Sequence, residues 1–375
     1  MRVALTHDWL VSYRGGEKVL EALCELFPDA DLFTLLHLPN SVPPLIEKRK
    51  ITTSFLQHVP GIFKRYRHFL PLFPAAIESF DLREYDLIIS SSHCVAKGIL
   101  KPASALHLSY LHAPMRYIWD LFEDYFGGGK VSPVVRAGAL LVRPFLQKWD
   151  VKSASRVDHF IANSQNIARK IELFYHRSSK VIYPPVTLDR LVQLNLAGNG
   201  QGGYFLWLGA FAPYKRLDLA IEAFARLGLP LWIGGSGQDS ARYFPDRLPP
   251  NIKMLGQVSD AALPTLYRNA RALIFTGDED FGMTPVEAQA SGRPVIAYAK
   301  GGALETVSDQ TGIFFGQQSV DSLIEAIQSF DTWEKSFSPA AARQHALRFG
   351  REAFKMSMRE EISKRLNGAE GKNVA

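Results

Sequence analysis

Ala272-Leu273-Ile274-Phe275-Thr276-Gly277-Asp278-Glu279-Asp280-Phe281-Gly282-Met283-Thr284-Pro285-Val286-Glu287 passes from an apolar run through a turn into a helix start. Ala272–Phe275 reads as a buried strand. Phe281-Gly282 supplies a turn at which backbone can approach a ligand. Thr284 and Pro285 suit the N-cap and first position of a helix. The first amides of such a helix have no intrahelical acceptor, and with the helix dipole they offer a seat for a phosphate. Glu287 has two readings. Thr284-x-x-Glu287 is a capping box, in which the glutamate bonds the N-cap amide; alternatively, Glu287 is a ligand-binding group. Glu279, in the strand-to-helix loop, has no such structural task and is the sharper functional candidate. Asp278-Glu279-Asp280 lacks partners elsewhere that would make it a metal site.

The same strand-and-helix alternation extends outward in both directions. Downstream come strand candidates Pro294–Tyr298 and Gly312–Phe315; upstream come Tyr204–Leu208, Pro230–Ile233 and Ile252–Leu255. Helices are predicted at Leu217–Arg226, Ala261–Ala270, Pro285–Ala290 and Ser319–Phe330. A second series precedes it, with strands at Arg2–Thr6, Asp31–Leu35, Asp86–Ser90, Leu106–Leu111, His159–Ala162 and Lys180–Tyr183, and a helix at Gly16–Leu26. Buried strands joined by helices make parallel sheets with right-handed crossovers. The expected fold is therefore α/β, with two facing doubly wound, Rossmann-like domains. The boundaries are an N-terminal domain over 1–184, a linker over 185–203, a C-terminal domain over 204–337, and a helix and tail over 338–375. The last is expected to be one helix from Ser338 to about Leu366. Ligands of such sheets bind beyond the carboxyl ends of the strands.

Composition narrows the class. The 375 residues are 47% hydrophobic and 21% charged, as in a folded globular chain. Two distant cysteines, Cys24 and Cys94, suit neither a disulfide framework nor a zinc site. No secretory or membrane-spanning segment is evident, and Val134–Trp149, the most apolar later stretch, is broken by Arg136, Arg143 and Pro144. A cytoplasmic location is the expectation. The net charge of +6 concentrates at Lys48, Arg49, Lys50, Lys64, Arg65 and Arg67, opposed locally only by Glu47. Phe55, Ile62, Phe63, Tyr66 and Phe69 lie among them. This mixture is either a contact for an anionic membrane surface or a solvated face over a local core. No nucleic-acid-binding motif accompanies it.

The motif from Glu279 to Glu287, continued by Ala288-Gln289-Ala290-Ser291-Gly292-Arg293-Pro294-Val295, resembles the paired-glutamate segment of retaining glycosyltransferases of family four, which have the two-Rossmann GT-B fold. The likeness extends to His7-Asp8-Trp9-Leu10 with Gly15-Gly16-Glu17, to His112-Ala113-Pro114, and to Tyr214-Lys215-Arg216. Together these are most similar to bacterial mannosyltransferases of O-antigen, capsule and exopolysaccharide synthesis. The resemblance implies a hexosyl transfer from a nucleotide sugar, GDP-mannose first, to a polyprenyl-diphosphate-linked saccharide. It implies no cofactor and no metal, and a peripheral position at the inner face of the membrane, with the basic stretch as acceptor or membrane patch. Glu279 would face the donor sugar and Glu287 the ribose. Gly282, Met283 and Thr284 would offer amides to the pyrophosphate or sugar. Lys215 would neutralise the leaving diphosphate. His112 would touch the transferred sugar, with Gly15 and Gly16 allowing close backbone approach. Gly234–Gly237 would lie on the nucleotide side, and Gly256–Val258 near the base. Where relatives commonly carry an arginine this chain has Ala210, so Arg216 compensates or the phosphate is met differently. Ser90-Ser91-Ser92-His93 also invites a nucleophile-and-base reading, but no strained Gly-x-Ser-x-Gly elbow supports it.

Overall fold

The computed structural model describes residues 1–127, 131–194, 203–237 and 248–370. The chain forms two compact units, Met1–Pro185 with Phe354–Ala375, and Val186–Ala353.

In the first unit, strands β1 (Val3–His7), β2 (Asp31–Thr34), β3 (Ile51–Thr53), β4 (Leu87–Ser92), β5 (Leu106–Leu111), β6 (His159–Ala162) and β7 (Ser179–Val181) build one sheet. Its order is β3-β2-β1-β4-β5-β6-β7, with each neighbouring pair parallel. Alternate side chains of each strand enter opposite cores, as period two requires. Ala4, Phe33 and Ile88 join one core with Ile77, Leu146 and Trp149; Leu5, Leu32, Leu87 and Ile89 join the other with Val19, Leu20 and Leu23. β3 is an addition to the sequence expectation. Three residues at a sheet edge beside a cluster of cations carry too little periodicity to be recognised.

The second unit holds β8 (Tyr204–Leu208), β9 (Leu231–Gly234), β10 (Ile252–Gly256), β11 (Ala270–Phe275), β12 (Val295–Tyr298) and β13 (Gly312–Phe315), in the parallel order β10-β9-β8-β11-β12-β13. Phe205, Trp207, Ile233 and Ile274 pack against Leu217, Phe224, Leu323 and Phe330 of the Leu217–Leu227 and Val320–Trp333 helices.

The single C-terminal helix expected from Ser338 is in fact two, Pro339–Leu347 and Arg351–Glu370. The chain breaks at Phe349-Gly350 because Phe349 is buried and stacks edge-on against Phe281, while its carbonyl accepts from the Val186 amide at 3.0 Å. Residues 338–353 thus pack with the second unit. Phe354, Met358 and Ile362 then enter the core of the first. Cys24 and Cys94 are buried free thiols, and burial pushes the Cys24 thiol up to about 12.

The basic stretch divides by role. Arg49 is not a surface cation: its guanidinium donates to the carbonyls of Cys24, Phe27 and Ala30, closing the end of the Gly15–Leu26 helix. Lys50 lies 3.6 Å from Asp31. Lys48, Lys64, Arg65 and Arg67 are exposed, whereas Ile62 is buried and Phe63, Tyr66 and Phe69 pack inward on the core. Phe63, Tyr66 and Phe69 are therefore local core, whereas Phe55, half exposed, faces solvent with the cations.

Candidate active-site constellations

In each sheet the strand order reverses once, between β1 and β4 in the first and between β8 and β11 in the second. Helices leave to opposite faces there, opening a crevice at the carboxyl ends of the strands. Lys215 and Glu279 of the sequence candidates lie at the second of these places, and Gly16 and His112 at the first.

At the second sheet's reversal, Lys215 follows β8 and Glu279 follows β11. Lys215 Nζ donates to Glu279 Oε1 at 2.5 Å, with both side chains largely buried. The pairing has a built frame. Trp207 Nε1 donates to Thr276 Oγ1 at 3.2 Å, and that hydroxyl donates to the Lys215 carbonyl at 2.7 Å. Gln318 Nε2 donates to the Thr276 carbonyl at 3.0 Å, and the Asp278 amide to the Tyr214 carbonyl at 3.3 Å. On the other side, Gly302 donates its amide to the Glu279 carbonyl at 2.7 Å. Gly301 has φ +61°, and a Cβ there would lie 2.4 Å from that same carbonyl oxygen. Thr276, Gln318 and Gly301-Gly302 escaped sequence reasoning; only the Gly-Gly pair after a strand was a signal for it. Trp207, in β8, is buried and also orients Thr276 through its ring N–H.

The Met283–Ala290 helix begins here, two residues earlier than expected. Its N-cap is Gly282, at φ +84°, with no side-chain cap. The capping-box reading of Thr284 and Glu287 is thereby overturned. Glu287 lies in the second turn, 8% exposed, and its carboxylate accepts from the Tyr267 hydroxyl at 2.8 Å. Burial first, then the Glu287 charge, push that phenol well above its usual range. Arg216, at φ +48°, makes a forked contact with Asp218 and reaches Gln318. Ala210 is half-buried in the loop after β8. Asp278 pairs with Lys300 at 3.0 Å, and no group of three or more metal-type ligands occurs among the described residues.

The Gly234–Gly237 loop serves close packing. A Cβ on Gly235, φ +149°, would meet the Gly209 carbonyl oxygen at 1.8 Å, and one on Gly237 would lie 2.8 Å from the Phe211 carbonyl oxygen. The Gly235 amide donates to the Gly256 carbonyl at 2.8 Å, which brings the Gly256–Val258 stretch alongside.

At the first sheet's reversal, Ser91 Oγ sits between two imidazoles, 3.1 Å from His7 Nδ1 and 2.8 Å from His112 Nε2. His7 Nε2 lies 3.8 Å from Glu17, whose carboxylate also accepts the Arg14 amide at 2.8 Å. Burial holds the His112 imidazole well below its ordinary range, aided by His93, His7 and Arg116. Gly15 and Gly16 open the Gly15–Leu26 helix against this cluster; a Cβ on Gly16 would stand 3.5 Å from His7 Cε1 and 3.8 Å from His112 Nε2. The Ser90–His93 run does not form a nucleophile and base among its own members. Ser90 pairs with His107 at 2.9 Å, and His93 lies 3.1 Å from Asp8. Asp8 organises the whole corner: its carboxylate accepts the amides of His93, Cys94, Val95 and Ala96 at 2.6–2.9 Å. Nothing in the local sequence announced that role.

Residues 196–342 match the family of glycosyl transferases, group 1. That span contains Lys215, Glu279 and Glu287. Over 126 residues the chain is 32% identical to mannosylfructose-phosphate synthase of Agrobacterium fabrum, covering 29% of this chain and 28% of that protein. It is 27% identical to the D-inositol 3-phosphate glycosyltransferase of Mycobacterium avium, covering 49% of this chain and 48% of the relative. The chain thus spans about half, or less, of the length of the curated relatives it matches. Among solved structures, Anabaena HepE in complex with UDP-glucose superposes with a TM-score of 0.67 at 20% identity, over 97% of this chain and 100% of that one. Sucrose-phosphate synthase from Thermosynechococcus elongatus gives 0.67 at 17% identity, over 98% and 100%. These structures establish the two-Rossmann fold. The relatives' names carry different sugars and acceptors, so what they share is glycosyl transfer and not mannose.

Proposed function

We propose that the protein is a retaining glycosyltransferase that moves a hexose from a nucleotide-sugar donor to an acceptor hydroxyl. The observation that carries this is the Lys215–Glu279 pair, fixed at the reversal point of the second sheet beside the start of the Met283–Ala290 helix. It supplies, in one place, a cation for the diphosphate, a carboxylate for sugar hydroxyls and the amides of a helix start. With Arg216 engaged by Asp218, the diphosphate charge falls to Lys215 and to those amides. Glu287 is assigned to the ribose. His112, kept neutral by burial, is assigned to the transferred sugar as a hydrogen-bonding group.

The bond between the anomeric carbon and the phosphate oxygen breaks as that oxygen takes the acceptor hydroxyl's proton. The acceptor oxygen then bonds the same face of the sugar. The protein positions the reactants and stabilises the departing charge, without a metal or other cofactor. Mannose from GDP-mannose is the proposed donor and a lipid-linked saccharide of cell-surface polysaccharide synthesis the proposed acceptor. These finer assignments rest on the motif resemblance, and the mannosyl name of one relative is in keeping with them.

A panel of nucleotide sugars, assayed with a polyprenyl-diphosphate-linked acceptor and with product NMR, tests the reading. Turnover is expected with GDP-mannose, with the donor's anomeric configuration preserved and chelator without effect. Rapid donor conversion in the absence of acceptor favours an epimerase or hydrolase of the same fold and overturns the transferase.

A further inference from the structure

The Pro133–Ala154 helix has a side that the fold does not use. Its inner face, Val142, Leu146 and Trp149, packs on the first core. One flank is tied to the preceding segment: Arg136 donates to Glu123 and to the Phe126 carbonyl, and Arg143 and Gln147 to the Ile118 carbonyl. Beyond that flank the first three turns should be charged if they met only water. They are apolar instead. Val134 is 82% exposed, Leu141 81% and Phe145 58%, and Leu140 is nearly half exposed. Helical spacing puts Val134, Leu141 and Phe145 on one stripe, which continues into Lys148 and Lys152.

Along the helix itself, up to Trp149, the charge has one sign, although Glu123 of the preceding segment pairs with Arg136. Residues 131–149 contain Arg136, Arg143 and Lys148 and no carboxylate. The first acid after them, Asp150, is buried against Lys97 at 2.8 Å. Lys148 and Lys152 are exposed, and neither makes an ion pair among the described residues. Both line an open cavity of about 530 Å³ with Trp119, Gln147 and Val151. A stripe of large apolar side chains that ends in unpaired lysines beside an indole is the pattern of a helix lying in a bilayer interface, its apolar side in the acyl boundary and its cations at the phosphates. No helix among the described residues is long and apolar enough to cross a membrane, so the contact is with the surface.

We infer that the exposed stripe of the Pro133–Ala154 helix docks the protein on an anionic lipid bilayer, with Val134, Leu141 and Phe145 entering the interface and Lys148 and Lys152 on lipid phosphates. This deepens the lipid-linked acceptor reading given above, on which its purpose rests, and it moves the membrane contact away from the Lys48–Arg67 stretch, where Phe63 and Tyr66 pack on the core and only Phe55 is left exposed among the cations.

The test is co-sedimentation of the full chain, without donor, with phosphatidylcholine vesicles that either contain or lack phosphatidylglycerol. Leu141→Gln with Phe145→Gln should lower the partition coefficient at least tenfold with no change in melting temperature, since both side chains are already in water. Lys148→Gln with Lys152→Gln should lower it about 25-fold on anionic vesicles only, or about fivefold per lysine at about 1 kcal/mol each. Unchanged partitioning in both pairs overturns the inference. So does loss of binding on neutralising Lys64, Arg65 and Arg67 while the Leu141 and Phe145 variant still binds. A wild-type dimer that the Leu141 and Phe145 variant dissolves, with no vesicle binding by either, assigns the stripe to a second copy of the chain. Donor affinity, measured separately by tryptophan fluorescence, shows whether the transferase reading stands or falls independently of the membrane contact.

Discussion

The Lys215 ammonium pairs with Glu279 and lies over the Tyr214 ring, and its backbone is held by Thr276, so its removal should chiefly change charge. Lys215→Ala is expected to cut kcat by about 10²–10³, the size of losing one donor to a developing anion. Measured single-turnover rates that match wild type would remove Lys215 from the leaving-group role. Gly16 allows a finer probe. The Cβ of Gly16→Ala fits in ordinary contact with His7 and His112, so helix and fold should hold, with stability unchanged or raised by about 0.5–1 kcal/mol. Activity should nevertheless drop, because the methyl takes up space beside His112 Nε2. An alanine variant with full turnover would show that this space is not used. Both predictions concern residues legible in sequence. Their partners were not: Thr276, Gln318 and Gly301 come from segments whose approach to Lys215 or Glu279 depends on how three strands align.

Among the elements, the turn after β4 depends on a residue from β1's end. Asp8→Ala leaves the amides of residues 93–96 without their acceptor in a buried corner. Each unsatisfied group costs about 1–3 kcal/mol, so a loss of at least 3 kcal/mol is expected in urea unfolding. A change under 1 kcal/mol would mean that water replaces the carboxylate. The elements also show where sequence periodicity suffices and where it does not. β5, β6, β8 and β13 coincide with their expected ranges, since each is a short run that places apolar side chains in a core at strand spacing. The start of the helix after β11 shifted because Gly282 takes the N-cap with a positive φ, which no side-chain pattern encodes. The C-terminal helix divided because Phe349 is drawn into the second unit's core, and period 3.6 alone runs straight through it.

For the molecule as a whole, the last helix is structural. A chain ending at Ala353 retains every strand but loses Phe354, Met358 and Ile362 from the first core. At about 1.5–3 kcal/mol for each buried side chain, the loss of roughly 5–9 kcal/mol rivals the stability of a typical domain. The truncated chain should lose the cooperative melting of the first unit; an unchanged transition in calorimetry would contradict this. Acid should weaken the fold through its buried histidines. Burial lowers His107 to about 4 and His112 well below its usual range. The unfolded chain therefore takes up their protons first, near pH 6.5, so their contribution is intact above that value and is lost as the pH falls. For His107 alone the loss is roughly 3 kcal/mol between about pH 6.5 and 4. Replacing His107 with glutamine should flatten that part of the stability–pH curve, and an unaltered slope would refute the assignment.

What the sequence determined by itself is local in origin. Alternating apolar strands and amphipathic helices fix a parallel α/β architecture in two halves. Gly282 and Glu279 mark a strand-to-helix turn suited to phosphate and sugar. Tertiary structure alone decided which distant groups meet: Lys215 with Glu279, Glu287 with Tyr267, Asp8 with four amides, and Ser91 with His7 and His112. It also decided that Arg49 closes a helix while the stripe from Val134 to Phe145 is left in water. The physical reason is that periodicity and capping act within a few residues of chain. The reversal of strand order, which brings separate strand ends together, is a property of the whole sheet.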